Sequence, residues 1–251
     1  MYRFGIFGKD ARMKYLCQSL KKDGFPAEMF DDKDVEGFIA KNDIIVLPVS
    51  RDYDNLLELC SGKTVMGGFV GGVQETPGVN IINYAASDYF RIRNALPSAE
   101  GALQIAMAQT DHTVCDCNAT VVGYGNIGKC LTDMLLCLGA SVTVVARKES
   151  DRAQAENYGA GACDFSVLPR LKSDVIFNTV PAPVIDRTVL DSLNEKTLII
   201  DLASMPGGTD FDYAAALGIT AVHALGLPGK FAPRTAGEIL KSTIISMLPE
   251  V

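Results

Sequence analysis

A chain of 251 residues, 48% of them hydrophobic, is long enough for one large or two modest cores. A net charge of −7 argues against a general nucleic-acid binder, which is normally basic. Seven cysteines and two histidines, scattered without zinc spacing, make neither a disulfide framework nor a ligand set, so no metal is expected.

Residues 2–7 read as a strand with no leader pattern before it, and no run of about 18 apolar residues offers a membrane span. The expectation is a cytoplasmic chain. Gly8-Lys9-Asp10 then turns into a helix over 11–23. Strand patterns follow at 27–30, 43–48, 63–66 and 80–83, with short helices at 35–41 and 56–59. The run 43–48 is apolar throughout, as a parallel strand covered on both faces requires. Pro97 and Ser98 read as the start of the next helix, Ser98 as its N-cap, and this helix bridges two lobes. A second series has strands at 119–122, 141–146, 174–178, 197–201 and 220–223, and helices near 127–138, 149–158, 186–193 and 210–217. A last helix over about 235–247 has no strand after it.

The pattern predicts an α/β protein of two doubly wound parallel-sheet lobes, the second a Rossmann dinucleotide-binding domain. Residues 1–97 form a flavodoxin- or Rossmann-like substrate lobe. Residues 98–234 form the bridging helix and the dinucleotide domain, and the final helix, 235–251, packs back on the first lobe. The substrate is expected between the lobes.

The stretch Gly123-Tyr124-Gly125-Asn126-Ile127-Gly128 is a G-x-G-x-x-G between a strand and a helix. Gly123 allows the tight turn, Gly125 lets the backbone approach a pyrophosphate, and Gly128 lets the helix pack close to the strand. The helix N-terminus favours the phosphates. The next strand ends in Ala146-Arg147-Lys148, where an NAD site usually carries an acidic residue. Two cations there favour the 2′-phosphate of NADP, with NAD less favoured. Their other reading is as solvated strand-end charges.

Three turns at strand carboxyl ends look unlike plain connectors. In 178–183, Thr179 and Pro181 are candidates to line the dinucleotide. In 201–210, Asp201, Ala203 and the glycine pair suggest close backbone approach to a ligand, with Ser204 as a donor. The loop 226–235 places Lys230, Arg234 and Thr235 near a helix N-terminus, where cations oppose the dipole unless they share an anion. In the first lobe Arg12 and Ser50 can reach a carboxylate, and Ser98 and Glu100 stand where the bridging helix meets the cleft. Arg51 reads equally as a surface charge, His223 as a packed side chain and His112 as a solvated one. No nucleophile–base pair and no catalytic base stand out. A hydride-transfer enzyme needs little beyond positioning and anion clamps.

At the level of longer motifs the chain resembles the A subunits of dipicolinate synthase from spore-forming bacteria. The residues that carry this are 8–12, 47–50, 97–101, 123–128, 145–147, 201–210 and 226–240. The last two are far more specific than the glycines. The resemblance implies an NAD(P)-linked oxidoreductase that converts a dihydrodipicolinate-type ring to pyridine-2,6-dicarboxylate. It implies work with a flavoprotein-like B subunit, in the mother cell during sporulation, and a homo- or hetero-oligomer. On it, Arg12, Lys230 and Arg234 clamp the carboxylates of a small dicarboxylate, and Ser98, Ser204 and Thr235 donate hydrogen bonds. Two alternatives stay open. One is a 2-hydroxy-acid or amino-acid dehydrogenase on the same plan, which needs a His with a carboxylate partner. The other is a non-catalytic NADP-binding sensor or partner subunit.

Overall fold

Ile44, Ile45, Val46 and Leu47 are all buried, alternately against two different clusters. They belong to β3 (Ile44–Ser50), the centre of a parallel sheet with β1 (Phe4–Ile6), β2 (Ala27–Met29), β4 (Thr64–Phe69) and β5 (Asn80–Asn83). The strand order is β2-β1-β3-β4-β5, the flavodoxin-like one. Pro48 has no N–H for the ladder. The β3–β4 register shifts between Val46 and Val49 to accommodate it, and the Tyr84 hydroxyl donates to the Leu47 carbonyl at 2.8 Å. Helix α1 (Ala11–Lys22) follows β1, and Asp10 caps it by accepting from the Met13 N–H at 3.1 Å. Helices α2 (Val35–Lys41) and α3 (Asp54–Glu58) follow β2 and β3. The computed structural model describes residues 1–50, 54–69 and 75–248.

The bridging helix begins earlier than the sequence suggests. Helix α4 (Asp88–Gln109) contains Pro97 in its interior, and Ser98 is a buried mid-helix residue, not a cap. Ser87 stands at the true start, its Oγ accepting from the Phe90 N–H at 3.5 Å. Proline removes one hydrogen bond from a helix interior, but Ala95, Ala99, Ala102 and Ala106 are all buried. That stripe of small residues holds the helix in place through the missing bond.

After α4 a second parallel sheet contains β6 (Asn118–Val122), β7 (Ser141–Val145), β8 (Gly161–Cys163), β9 (Val175–Asn178), β10 (Leu198–Asp201) and β11 (Ala221–His223). Its order is β11-β10-β9-β6-β7-β8. Counted from β6 this is 3-2-1-4-5-6 read from the β8 edge, the Rossmann order. Again both faces are covered: Val121, Val144, Phe177 and Ile200 face one cluster, and Val122, Val145, Ile176 and Ile199 the other. The sequence reading missed β8, three residues with a glycine and no apolar run. Helices α5 (Asn126–Cys137), α6 (Glu149–Asn157), α7 (Arg187–Leu190) and α8 (Phe211–Ala216) complete this lobe.

Residues 226–235, read as a loop, contain helix α9 (Leu227–Phe231) and the start of α10 (Pro233–Ser246). The chain divides into two compact units, residues 1–94 with 228–251, and residues 95–227. Helix α10 lies in the first unit against α1. A Cβ on Gly237 would stand 2.8 Å from the Arg12 carbonyl oxygen, so that glycine sets the helix–helix approach.

Candidate functional site: a dinucleotide turn and a buried arginine

The glycine turn lies between β6 and α5, beside the point where the Rossmann strand order reverses. Gly123 has φ +95°, and a Cβ there would strike Thr179 Oγ1 at 2.4 Å. The turn is held from both sides. The Gly123 N–H donates to the Val145 carbonyl at 2.9 Å, while the Thr179 N–H and hydroxyl both donate to the Val122 carbonyl at 2.9 Å. A Cβ on Gly128 would lie 2.2 Å from the Gly123 carbonyl oxygen, so α5 sits hard against the turn. At Gly125 the same construction meets nothing within 4 Å among the described residues. Helix α5 starts there with no side-chain cap. Open space in front of uncapped N–H groups fits a pyrophosphate. Asn126 is exposed and Ile127 half-buried, whereas the Tyr124 side chain is buried under Lys129 and offers only its backbone.

Arg147 and Lys148 are exposed just beyond β7. A third cation, not singled out in the sequence, joins them. Arg152 of α6 reaches back so that its Nη1 donates to the Ala146 carbonyl at 2.9 Å and the Arg147 carbonyl at 2.8 Å. One helical turn separates Arg152 from Lys148, and that spacing was the available signal.

The expectation for Asp201 is corrected. It is fully buried, and its oxygens accept from the Ala203 N–H at 2.9 Å, the Gly208 N–H at 2.8 Å and the Thr209 hydroxyl at 2.7 Å. The carboxylate shapes the 201–209 loop and presents no oxygen to a nucleotide; Ala203, itself buried, is part of that staple. A Cβ on Gly208 would meet Asn178 Nδ2 at 2.4 Å and the Val180 carbonyl at 2.6 Å, which locks this loop onto the one carrying Thr179 and the exposed Pro181. Asp201→Asn turns one acceptor into a donor facing donors. It is expected to cost about 2 kcal/mol, read as a lower unfolding midpoint in urea at pH 7.

His223 Nε2 lies 3.1 Å from the Ala203 carbonyl and its ring stacks on Phe211 at 5.0 Å. It is packed in the same loop, with no carboxylate partner among its described contacts. Ser204 and Glu100 are exposed and Ser98 is buried.

The remaining substrate candidates belong to the first unit. Arg12 stands at the carboxyl end of β1, where the strand order of that sheet reverses. It is only 9% exposed. Its Nη2 donates to Asp10 at 3.0 Å, while its buried Nε meets no acceptor among the described residues. Gly229 of α9 packs against the guanidinium: a Cβ there would lie in ordinary contact, 3.7 Å from both Cζ and Nε. The other cations are placed differently from expectation. Lys230 is an exposed residue of α9's last turn, Thr235 is exposed, and Arg234 is exposed and pairs with Glu238 at 3.2 Å, one turn along α10. The dipole conflict is thus relieved by an internal carboxylate at Arg234. Ser50 ends β3 by its backbone; its side chain and Arg51 lie outside the described residues.

The sequence reading named no metal-ligand cluster; in the structure His112, Cys117 and Asp174 each bring one potential ligand atom to within 4.8 Å of the others. They lie 5 and 57 residues apart in sequence, so no spacing motif announces them.

Two parallel-sheet α/β lobes, one a Rossmann lobe with its glycine turn at the switch point, define the two-lobed dehydrogenase class of oxidoreductase folds. A family model described as NADP oxidoreductase, coenzyme F420-dependent, matches residues 118–205, and the structure of D-lactate dehydrogenase from Escherichia coli superposes with TM-score 0.67 at 17% identity, covering 97% of this chain and 95% of that one. Within that class the chain resembles the A subunit of dipicolinate synthase in sequence and in structure. It is 39% identical to that protein from Bacillus subtilis (strain 168) over 166 residues, 65% of this chain. The aligned segment spans 56% of the length of that relative. The crystal structure of the dipicolinate synthase A subunit from Bacillus halodurans superposes with TM-score 0.85 at 28% identity, covering 100% of this chain and 98% of that one.

Proposed function

We propose that this chain is the oxidoreductase subunit of a dipicolinate-forming enzyme, binding NADP in preference to NAD and acting with a flavoprotein-like B subunit in the mother cell of a sporulating bacterium. The observation that carries the substrate assignment is Arg12. A buried guanidinium whose Nε has no acceptor among the described residues costs folding free energy, and such a cost is repaid by a ligand carboxylate, which takes two parallel N–H donors. The dipicolinate synthase relatives named above support the ring dicarboxylate as that ligand, and their name supports a partner subunit.

In this reading the α5 N-terminus and the turn at Gly125 hold the pyrophosphate. Arg147, Lys148 and Arg152 face the 2′-phosphate. Arg12 fixes one carboxylate and so orients the ring. The dinucleotide, when bound, supplies a hydride acceptor at the nicotinamide C4. Oxidation of the ring would release one hydride to that acceptor and one ring proton to solvent, which balances the conversion of dihydrodipicolinate to dipicolinate. Aromatisation drives the step without a strong enzymic base.

The test is turnover of freshly generated dihydrodipicolinate by the purified chain, with NADP⁺ or NAD⁺, with and without the B subunit. NADPH should form in step with dipicolinate, and an Arg147→Ala/Lys148→Ala variant should lose about tenfold in NADP⁺ affinity while NAD⁺ affinity holds. Turnover of 2-hydroxy acids alone, or nucleotide binding without turnover under every condition, overturns the proposal.

A further inference from the structure

The Rossmann unit carries a second constellation at the pole opposite its glycine turn. Cys117 and Asp174 immediately precede β6 and β9, adjacent strands of the parallel sheet, so both side chains stand at the amino-terminal edge. His112 approaches from the segment between α4 and β6. A groove of about 1040 Å³ opens at this edge, lined by His112 and Asp174 together with Lys172, Asn118, Asn194 and Lys196. It shares no residue with the dinucleotide turn.

We propose that His112, Cys117 and Asp174 form a binding site for a zinc-class divalent ion, with the fourth coordination position open to this groove. One imidazole, one thiolate and one carboxylate are the donor types that zinc takes, and three protein ligands plus one exchangeable position is the arrangement of an open zinc site. The three candidate ligand atoms lie within 4.8 Å of one another; a tetrahedral zinc site asks for roughly 3.5 Å between ligands, so binding would draw these side chains together.

The supporting contacts suit a metal as well. Asp174 Oδ2 accepts from both the backbone N–H and the Nδ2 of Asn118, at 2.8 and 3.1 Å, which orients the carboxylate and leaves Oδ1 to coordinate. His112 Nδ1 lies 3.2 Å from the Thr113 carbonyl. A carbonyl only accepts, so Nδ1 carries the proton and Nε2 the lone pair. Coordination replaces the Cys117 thiol proton, which leaves to solvent. The ion would tie the α4–β6 segment to the start of β9.

The experiment is titration of the chelator-stripped full chain with Co²⁺ as a spectroscopic stand-in, followed by competition with Zn²⁺. One equivalent should bind with cobalt–thiolate charge-transfer absorption. Cys117→Ser should abolish that absorption. His112→Ala, a change at an exposed position that leaves the core intact, should weaken binding by at least about tenfold. Cys115→Ser should change neither. Absence of stoichiometric binding, or binding that survives His112→Ala and Cys117→Ser, or loss only in Cys115→Ser, overturns the proposal.

Discussion

Gly128→Ala is expected to abolish useful dinucleotide affinity, by a hundredfold or more, and to destabilise the Rossmann unit by about 3 kcal/mol. The added methyl would start 2.2 Å from the Gly123 carbonyl oxygen. Neither side can yield cheaply, because the obstacle is backbone and the turn is bonded to Val145 through Gly123 and to Thr179 through Val122. Either α5 lifts from the sheet or the turn deforms, and both displace the N–H groups proposed to hold the phosphates. Gly125→Ala separates the two effects. Its φ is an ordinary −79° and its Cβ meets nothing within 4 Å among the described residues, so the fold should be unchanged within about 0.5 kcal/mol. Its methyl nevertheless enters the space a pyrophosphate would occupy, and affinity should still fall. Urea unfolding and nucleotide fluorescence titration of both variants are the measurements. Full affinity in Gly125→Ala would move the phosphates elsewhere.

Arg12→Met is expected to lower kcat/KM for the dicarboxylate about a hundredfold, or about 2.7 kcal/mol, the range of a charge-assisted hydrogen-bond pair. Nucleotide affinity should be untouched, because the turn belongs to the other unit. Stability should hold or rise. Met replaces a buried cation whose Nε has no acceptor among the described residues, and the Asp10 side chain it leaves is 39% exposed and can turn to water. Arg12→Lys should not rescue turnover, since a single ammonium cannot match both carboxylate oxygens. A marked loss of stability in Arg12→Met, with unchanged kinetics, would make Arg12 a structural residue only.

Some of this was legible in order along the chain. The glycine spacing at 123–128 is a local device, since each glycine answers a constraint within a few residues of itself, and the structure has the tight turn at Gly123 and the close helix packing at Gly128. The apolar run before Pro48 announced a strand covered on both faces. Local signals also misled. Pro97-Ser98 has the form of a helix start, and the buried alanine stripe of α4 overrides it. The loop assigned to 226–235 contains two helices, because its proline and glycines mark turn chemistry that a short helix also tolerates.

Composition and sequence determined the α/β class, the position of the glycine turn between a strand and a helix, and the cations just beyond β7. All of these depend on residues close in the chain. Only the tertiary structure decided that Asp201 is a staple for its own loop, that Arg12 is buried under Gly229, and that His112, Cys117 and Asp174 converge. Each of the last two brings together residues more than fifty positions apart. Such meetings are set by strand order and helix return, which place distant segments side by side through the burial of whole sheet faces, and no local spacing carries that information.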